Sequence, residues 1–189
     1  MATMNAEQVT VGAAAATGAI FVAPITASLP TDATTALGSD FALLGFTSDA
    51  GVTISESGNT QSIYAWEGRT EVYTTRTEYT EQIAFMPIQC NADVAKLIWG
   101  DDMVIVGNDG ALTCKHHGKT MEPVYIVIET TPREGIVKRF CQKAQLTERG
   151  EQTMDGTQVD GRQLTFKSIA DSNEVTMTEF TAFITGTTS

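Results

Sequence analysis

Cys114, His116 and His117 are the one cluster in the chain whose residue types could hold a transition metal. A zinc site takes thiolate and imidazole ligands, and a structural one needs four. In an extended segment Cys114 and His116 project to one side and His117 to the other. A complete site would need a further ligand, with Cys141 as the available thiol on another strand. The competing reading is a small buried cysteine with two histidines at a strand end, and the spacing favours it, so no metal is assigned. Asp101 and Asp102 are a second candidate, a carboxylate pair for acid–base work. Adjacent carboxylates just past a helix end read instead as a solvated turn. Tyr64, Trp66, Tyr73 and Tyr79 are a third, an aromatic strip that would suit a sugar or another protein surface. Tyr and Trp are enriched at subunit contacts, and that reading is preferred. The chain has no phosphate-binding loop, dinucleotide fingerprint, nucleophile elbow, metalloprotease helix motif or calcium loop. No catalytic residue and no cofactor is therefore expected, and the chain does not read as an enzyme.

The elements that position these residues are written mainly in strand chemistry. The stretch from Trp66 to Asp102 changes period halfway. Thr70 to Ile88 is Thr-rich and β-branched, and it reads as one long strand. Only its end, from Ile83, is apolar enough for a core; its start is polar on both faces and should leave the domain body as an arm or hairpin. Then Asn91 offers a helix N-cap, and Asp93 sets a carboxylate against the positive end of the helix dipole. Val94, Leu97 and Ile98 form one apolar stripe, and Gly100 closes the element. The expected helix covers about Asn91–Trp99 and needs a sheet beneath it.

Upstream, Thr17 to Ala23 and Phe41 to Thr47 read as short strands around a Pro/Thr/Ser/Asp loop. Asp49-Ala50-Gly51 reads as a turn, with Val52 to Glu56 and Gln61 to Trp66 continuing a meander. Downstream, Asn108-Asp109-Gly110 is a tight turn between Met103 to Val106 and Leu112 to His116. Pro123 to Thr131 and Ile136 to Thr147 are the most apolar pair, joined across Pro132 to Gly135. A polar loop from Glu148 to Gly161 precedes the last strands, Leu164 to Ile169 and Val175 to Ile184. Many strands and one helix exclude an alternating α/β fold. The fold class is mainly β: an antiparallel β-sandwich or barrel with one short flanking α-helix and protruding arms. The domain reading is an N-terminal arm over 1–16 and a single β-rich domain over 17–189, with an inserted hairpin arm at about 49–80.

Composition narrows the partners. The 189 residues suffice for one sizeable core. They carry 12 basic and 23 acidic side chains, a net charge of −11, which excludes nucleic-acid binding by counterion release. Three widely spaced cysteines suggest no disulfide framework and favour a reducing compartment. No Lys or Arg precedes the alanine-rich run near Glu7, so a secretory signal is not expected. No apolar run reaches the roughly 18 residues of a membrane helix, and no membrane binding is expected.

Several stretches carry a resemblance. GAIFVAPITASLPTDATTALGSDFALLGFTSDAGVTIS, then IYAWEG, the long Thr/Glu strand and NADVAKLIWGDD together resemble the major tail proteins (tail tube proteins) of siphovirus-type long-tailed bacteriophages. The likeness runs over about residues 17–185 and rests on the order and texture of the elements. It implies a structural virion protein that self-assembles into homo-hexameric rings stacked as a tube. The implied partners are further copies, a tape-measure protein, and tail terminator and tail-tip proteins. Double-stranded DNA would pass without specific binding. The implied location is the phage tail, assembled in the host bacterial cytoplasm. The Cys-Lys-His-His segment has no counterpart in the resemblance, so it receives no role.

The residues support that reading in two ways. Head-to-tail contacts can close rings and stack them, given protruding segments; residues 1–16, 24–40 and 49–69 are candidates. Val52, Ile54, Ile63, Tyr64, Trp66, Tyr73 and Tyr79 are the expected inter-subunit contacts. An acidic wall would also keep a duplex from sticking, and Glu78, Glu81, Glu129 and Glu179 are the expected lumen-facing acids. Two other readings are a head decoration or head–tail joining protein, and a β-sandwich carbohydrate-binding or adhesin module.

Overall fold

The computed structural model describes residues 12–14, 19–133, 135–157 and 159–184. The expected arm over 1–16 falls largely outside them. Its described end lies along a sheet edge: Ala14 bridges Thr130, and the Thr131 amide donates to the Ala13 carbonyl at 2.9 Å.

The strands are β1 (Ile20–Pro24), β2 (Ala42–Leu43), β3 (Thr47–Ser57), β4 (Thr60–Tyr64), β5 (Glu71–Arg76), β6 (Thr80–Pro87), β7 (Val104–Val106), β8 (Leu112–Cys114), β9 (Val124–Arg133), β10 (Ile136–Arg149), β11 (Leu164–Ser168) and β12 (Met177–Phe183). The helix α1 is Ala92–Trp99. Among the described residues, one eight-stranded antiparallel sheet runs β2-β1-β9-β10-β11-β6-β3, with β12 also on β10. The pairs β4–β5 and β7–β8 stand apart as two-stranded sheets. This is the expected mainly β, antiparallel fold with one short flanking helix.

Alternation explains the core. On β6, Glu81, Ile83, Phe85 and Pro87 are buried and their neighbours half-buried. On β11, Leu164, Phe166 and Ser168 face the same side. Phe85 and Phe166 stack with ring centroids 5.4 Å apart. Ile20, Ile126, Ile128, Ala144 and Leu146 complete the cluster, and Val94 and Leu97 of α1 pack against it. The helix starts and stops where its residue types dictate. Asn91 accepts from the Val94 amide at 2.8 Å and donates to the Leu44 carbonyl at 2.9 Å. Gly100, at φ 85°, sits in a region that favours glycine and donates to the Lys96 carbonyl.

The long β10 organises the sheet. β9 lies along one edge, while β11 and β12 follow one another along the other. Ser168 opposes Ala144 and Met177 opposes Gln142, so residues 169–176 leave the ladder and return to it. The central strands are buried on their second face too: Val127, Arg139 and Cys141 are all but inaccessible. Arg139 donates to the Asp32 carbonyl at 2.7 Å, which ties the 25–40 loop over that face. Ala27 and Ala33 of the loop are buried. The segment 24–40, expected to protrude, is therefore a cover held down by a buried guanidinium.

Three further expectations change. Asp49-Ala50-Gly51 is no chain reversal; it is a bulge inside β3, between Thr47 opposite Pro87 and Val52 opposite Phe85. Thr70 to Ile88 is two strands, interrupted at residues 77–79. β9 runs through Pro132 to Arg133, so the loop to β10 is shorter than expected.

Candidate functional site

The interruption at 77–79 creates the most exposed element of the described molecule. β3 and β6 pair as far as Ser57 opposite Thr80; the same two chain segments then pair again as β4 and β5, from Thr60 opposite Arg76. The Thr77 amide donates to the Asn59 carbonyl at 2.8 Å across the break. β4–β5 is thus the outer half of one long hairpin whose inner half belongs to the main sheet. At about 3.3 Å per residue, the outer half reaches roughly 20 Å beyond Ser57. A Cβ on Gly58 would lie 2.7 Å from the Glu78 carbonyl oxygen, so the root has room only for glycine. The tip turns over Trp66 to Arg69, with both Gly68 and Arg69 at positive φ.

The two faces of the hairpin differ. Ser62 and Thr74 direct their hydroxyls to Glu71, whose carboxyl is held below its ordinary value, by Thr74 first and then Ser62. The other face carries Ile63 directly opposite Tyr73. Ile63 is 49 % exposed, Tyr64 55 %, Tyr73 60 % and Trp66 95 %. An isolated two-stranded hairpin is marginal in water, and this one leaves its large side chains bare. Exposed apolar patches mark interaction sites.

The expected contact residues divide. Ile63, Tyr64, Trp66 and Tyr73 lie on the projecting hairpin. Tyr79, under the Arg76 guanidinium at 4.5 Å, sits at its root. Ile54 is 38 % exposed on β3, the outer strand of the sheet. Val52 is a correction: it faces inward opposite Phe85 and packs against the core.

The expected acidic wall is likewise redistributed. Glu78 lies in the break between β5 and β6, exposed, and accepts from Asn59 Nδ2 at 2.9 Å. Glu81 is a correction: strand alternation turns it inward with Ile83, leaves it 5 % exposed and sets it to accept from the Thr176 hydroxyl. Glu129 is half-buried, and its carboxylate takes two hydrogen bonds from Arg139, at 2.9 and 2.6 Å. Glu179 pairs with Lys138 at 3.0 Å, its side chain 46 % exposed. These four acids share no single face of one copy.

The histidines are employed at the end of α1. His116 stacks on Trp99 with centroids 3.8 Å apart. His117 Nδ1 accepts from the Lys119 amide, so Nε2 carries the proton and donates to the Trp99 carbonyl. Cys114, His116 and His117 do not converge, and among the described residues no three His, Cys, Asp or Glu are grouped to hold a metal. Asp101 and Asp102 lie in a 3-10 turn, where Asp101 pairs with Lys96.

A group the sequence reading did not single out surrounds Trp99. The guanidinium carbons of Arg149 and Arg162 lie 4.9 and 5.5 Å from its ring centroid. Arg149 Nε donates to the Ile98 carbonyl, satisfying one of the orphan acceptors at the helix C-terminus. Burial, and after it the charge of Arg162, pushes the Arg149 guanidinium below its usual value. No advance signal marked it: Arg149 falls inside the polar loop expected over Glu148 to Gly161, and Arg162 just after it.

Sheet edges complete the picture. β3 pairs only with β6, and β12 only with β10, so each presents an unpaired edge among the described strands. Such edges are templates for pairing with another chain. A projecting hairpin with bare aromatics and two open strand edges are the features of a subunit built to join others. No curated protein matches the chain. Its residues 2–182 match a family model described as phage tail tube protein, and the chain belongs to that family as a structural component of a virion tail.

Proposed function

We propose that this chain assembles into hexameric rings that stack into the tail tube of a siphovirus-type phage, a conduit through which the genome leaves the particle. The single observation that carries this reading is the projecting β4–β5 hairpin, which pairs with no other described strand and leaves Ile63, Tyr64, Trp66 and Tyr73 exposed. Heterologous contacts close a ring when the rotation permits and stack without limit along the axis. The open edges of β3 and β12 suit strand addition between neighbours. The hairpin then reaches a second copy and buries Trp66, Ile63 and Tyr73. Each such large side chain contributes about 1.5–3 kcal/mol when fully removed from water.

The charge serves the conduit. At a net −11, copies around a passage present carboxylates to the duplex, and screening confines the repulsion to about 8 Å. Glu78 and Glu179, the exposed members of the expected set, are the candidates to face the passage. Family membership supports further copies, a tape-measure protein, a tail terminator and tail-tip proteins as partners, with assembly in the bacterial cytoplasm. Electron microscopy of the purified chain tests the reading. Rings or tubes appearing with rising concentration support it; a monomer that persists at high concentration overturns it.

A further inference from the structure

Arg149 and Arg162 stand out because both guanidiniums are held against one ring, that of Trp99. Among the described residues the ion pairs are Lys96–Asp101, Lys138–Glu179 and Arg139–Glu129. Arg162 donates to Gln152, and Gln152 in turn donates to Asp160, so that carboxylate is reached only through an amide. Arg149 NH2 is buried and has no hydrogen-bond partner. A buried N–H of a charged group left unmade is costly, and such groups are normally satisfied. Two guanidiniums held against one indole also repel each other unless an anion joins them.

Space for an anion is present beside one of the two, Arg149. A groove of about 280 Å³ opens beside Arg149, between the 118–121 segment and the end of β10. Lys119, Arg149, Thr120 and Thr147 line it beside Met121 and Leu146: two cations and two hydroxyls, without an acidic side chain in the wall. Guanidinium and ammonium donors with hydroxyl support are the chemistry of a carboxylate site.

The projecting hairpin carries a carboxylate to its far end. The hairpin tip reads Trp66-Glu67-Gly68-Arg69. Glu71 is occupied by Ser62 and Thr74, and Glu78 by Asn59. Glu67, exposed at the far end, has no partner of its own among the described residues. We infer that the groove lined by Lys119 and Arg149 receives the Glu67 carboxylate of a second copy, with those two side chains as donors. This rests on the tube reading, and names the surface on which the hairpin lands. The exposed Trp66 arrives next to a site already built from aromatic and guanidinium planes, where stacking with Arg is favourable.

Charge reversal tests it in the full-length chain, with the critical concentration for assembly as the readout. Glu67→Arg alone and Arg149→Glu alone should each raise that concentration at least tenfold. The double variant should return it to within about threefold of wild type, because each copy then offers a swapped pair. Lys119→Glu with Glu67→Arg gives the same comparison should Arg149→Glu unfold, as judged by circular dichroism. Single variants that assemble like wild type overturn the inference while leaving the tube reading intact. So does a double variant no better than the singles. Citrate or duplex DNA that binds the groove, with binding lost in Arg149→Glu and assembly unchanged, assigns the groove to another anion and also overturns it. Wild-type chain that never assembles overturns both.

Discussion

The molecule contains two antiparallel hairpins of similar design and opposite fate. β9–β10 lies at the centre of the sheet. Ile126 and Val127 on opposite faces of β9 are both 0 % exposed, and Arg139 and Cys141 are each 3 % exposed. β4–β5 pairs only with itself, and its largest side chain is 95 % exposed. Both use Thr, Tyr, Val and Ile, so strand propensity does not separate them. What separates them is the second layer. β9–β10 has α1 and the core cluster on one side and the Asp32 loop on the other; β4–β5 has neither. Strand chemistry fixes the backbone; the presence of a cover decides whether the element is complete. For β4–β5 the proposed cover is another copy.

Core and arm substitutions separate the two hairpins most widely. Phe166→Ala or Phe85→Ala removes half of a buried stacked pair and should lower unfolding free energy by about 3–5 kcal/mol. Trp66→Ala should change the stability of the isolated chain by less than about 0.5 kcal/mol, as surface changes do, yet abolish tube formation. Urea unfolding of unassembled chain measures the first quantity and electron microscopy the second. Comparable destabilisation by Trp66→Ala would show that the hairpin already belongs to the core and would break the contrast.

A smaller effect distinguishes paired acids in the two settings. Arg139 is buried under the loop, and its partner Glu129 is only 22 % exposed at the side chain. Glu129→Ala leaves a buried guanidinium without its counter-ion and should destabilise by about 3 kcal/mol. Glu179→Ala breaks a pair that water already reaches and should change stability by about 0–1 kcal/mol. Equal losses in urea unfolding would mean that the loop does not shield Arg139.

Legibility in the sequence follows the same division. α1 was readable to the residue because its signals are local: Asn91, Asp93, the stripe from Val94 to Ile98, and Gly100. The strands of β9, β10 and β11 were readable from alternation. The break at 77–79 was not, because the Thr- and Tyr-rich run from Thr70 onward reads as continuous strand; at the break Gly58 lies close against the Glu78 carbonyl, a contact between segments that no local pattern records. Burial of Glu81 was implicit in its even spacing from Ile83 and Phe85, but the side-chain charge argued for solvent. The cover formed by residues 24–40 depends on a contact between Asp32 and Arg139, more than a hundred positions apart, which no local pattern records. The Arg149 and Arg162 cluster is invisible for the same reason.

The finest contrast lies in two exposed carboxylates with the same chemistry, one in each setting. Asp32 accepts from the Thr35 hydroxyl and from the Thr34 and Thr35 amides, and these hold its carboxyl far below the ordinary aspartate value, Thr35 first. Glu71 is lowered by Thr74 and Ser62. A depressed carboxyl stabilises the fold above its unfolded pKa, about 3.9 for Asp and 4.3 for Glu, and that contribution is lost as pH falls through the folded value. Acid should therefore loosen both turns below about pH 4. Asp32 sits in a loop fastened to the sheet, so its depression should be complete in the isolated chain, and Thr35→Val should raise it. Glu71 sits in a hairpin that water frays, so its depression should be partial in the isolated chain and full in the tube. Carboxyl-carbon NMR titration of the unassembled chain, and of tubes by magic-angle spinning, reads both groups in one experiment. A Glu71 midpoint that is the same in chain and tube would mean the hairpin is ordered before any neighbour covers it; the two hairpins would then differ only in exposure.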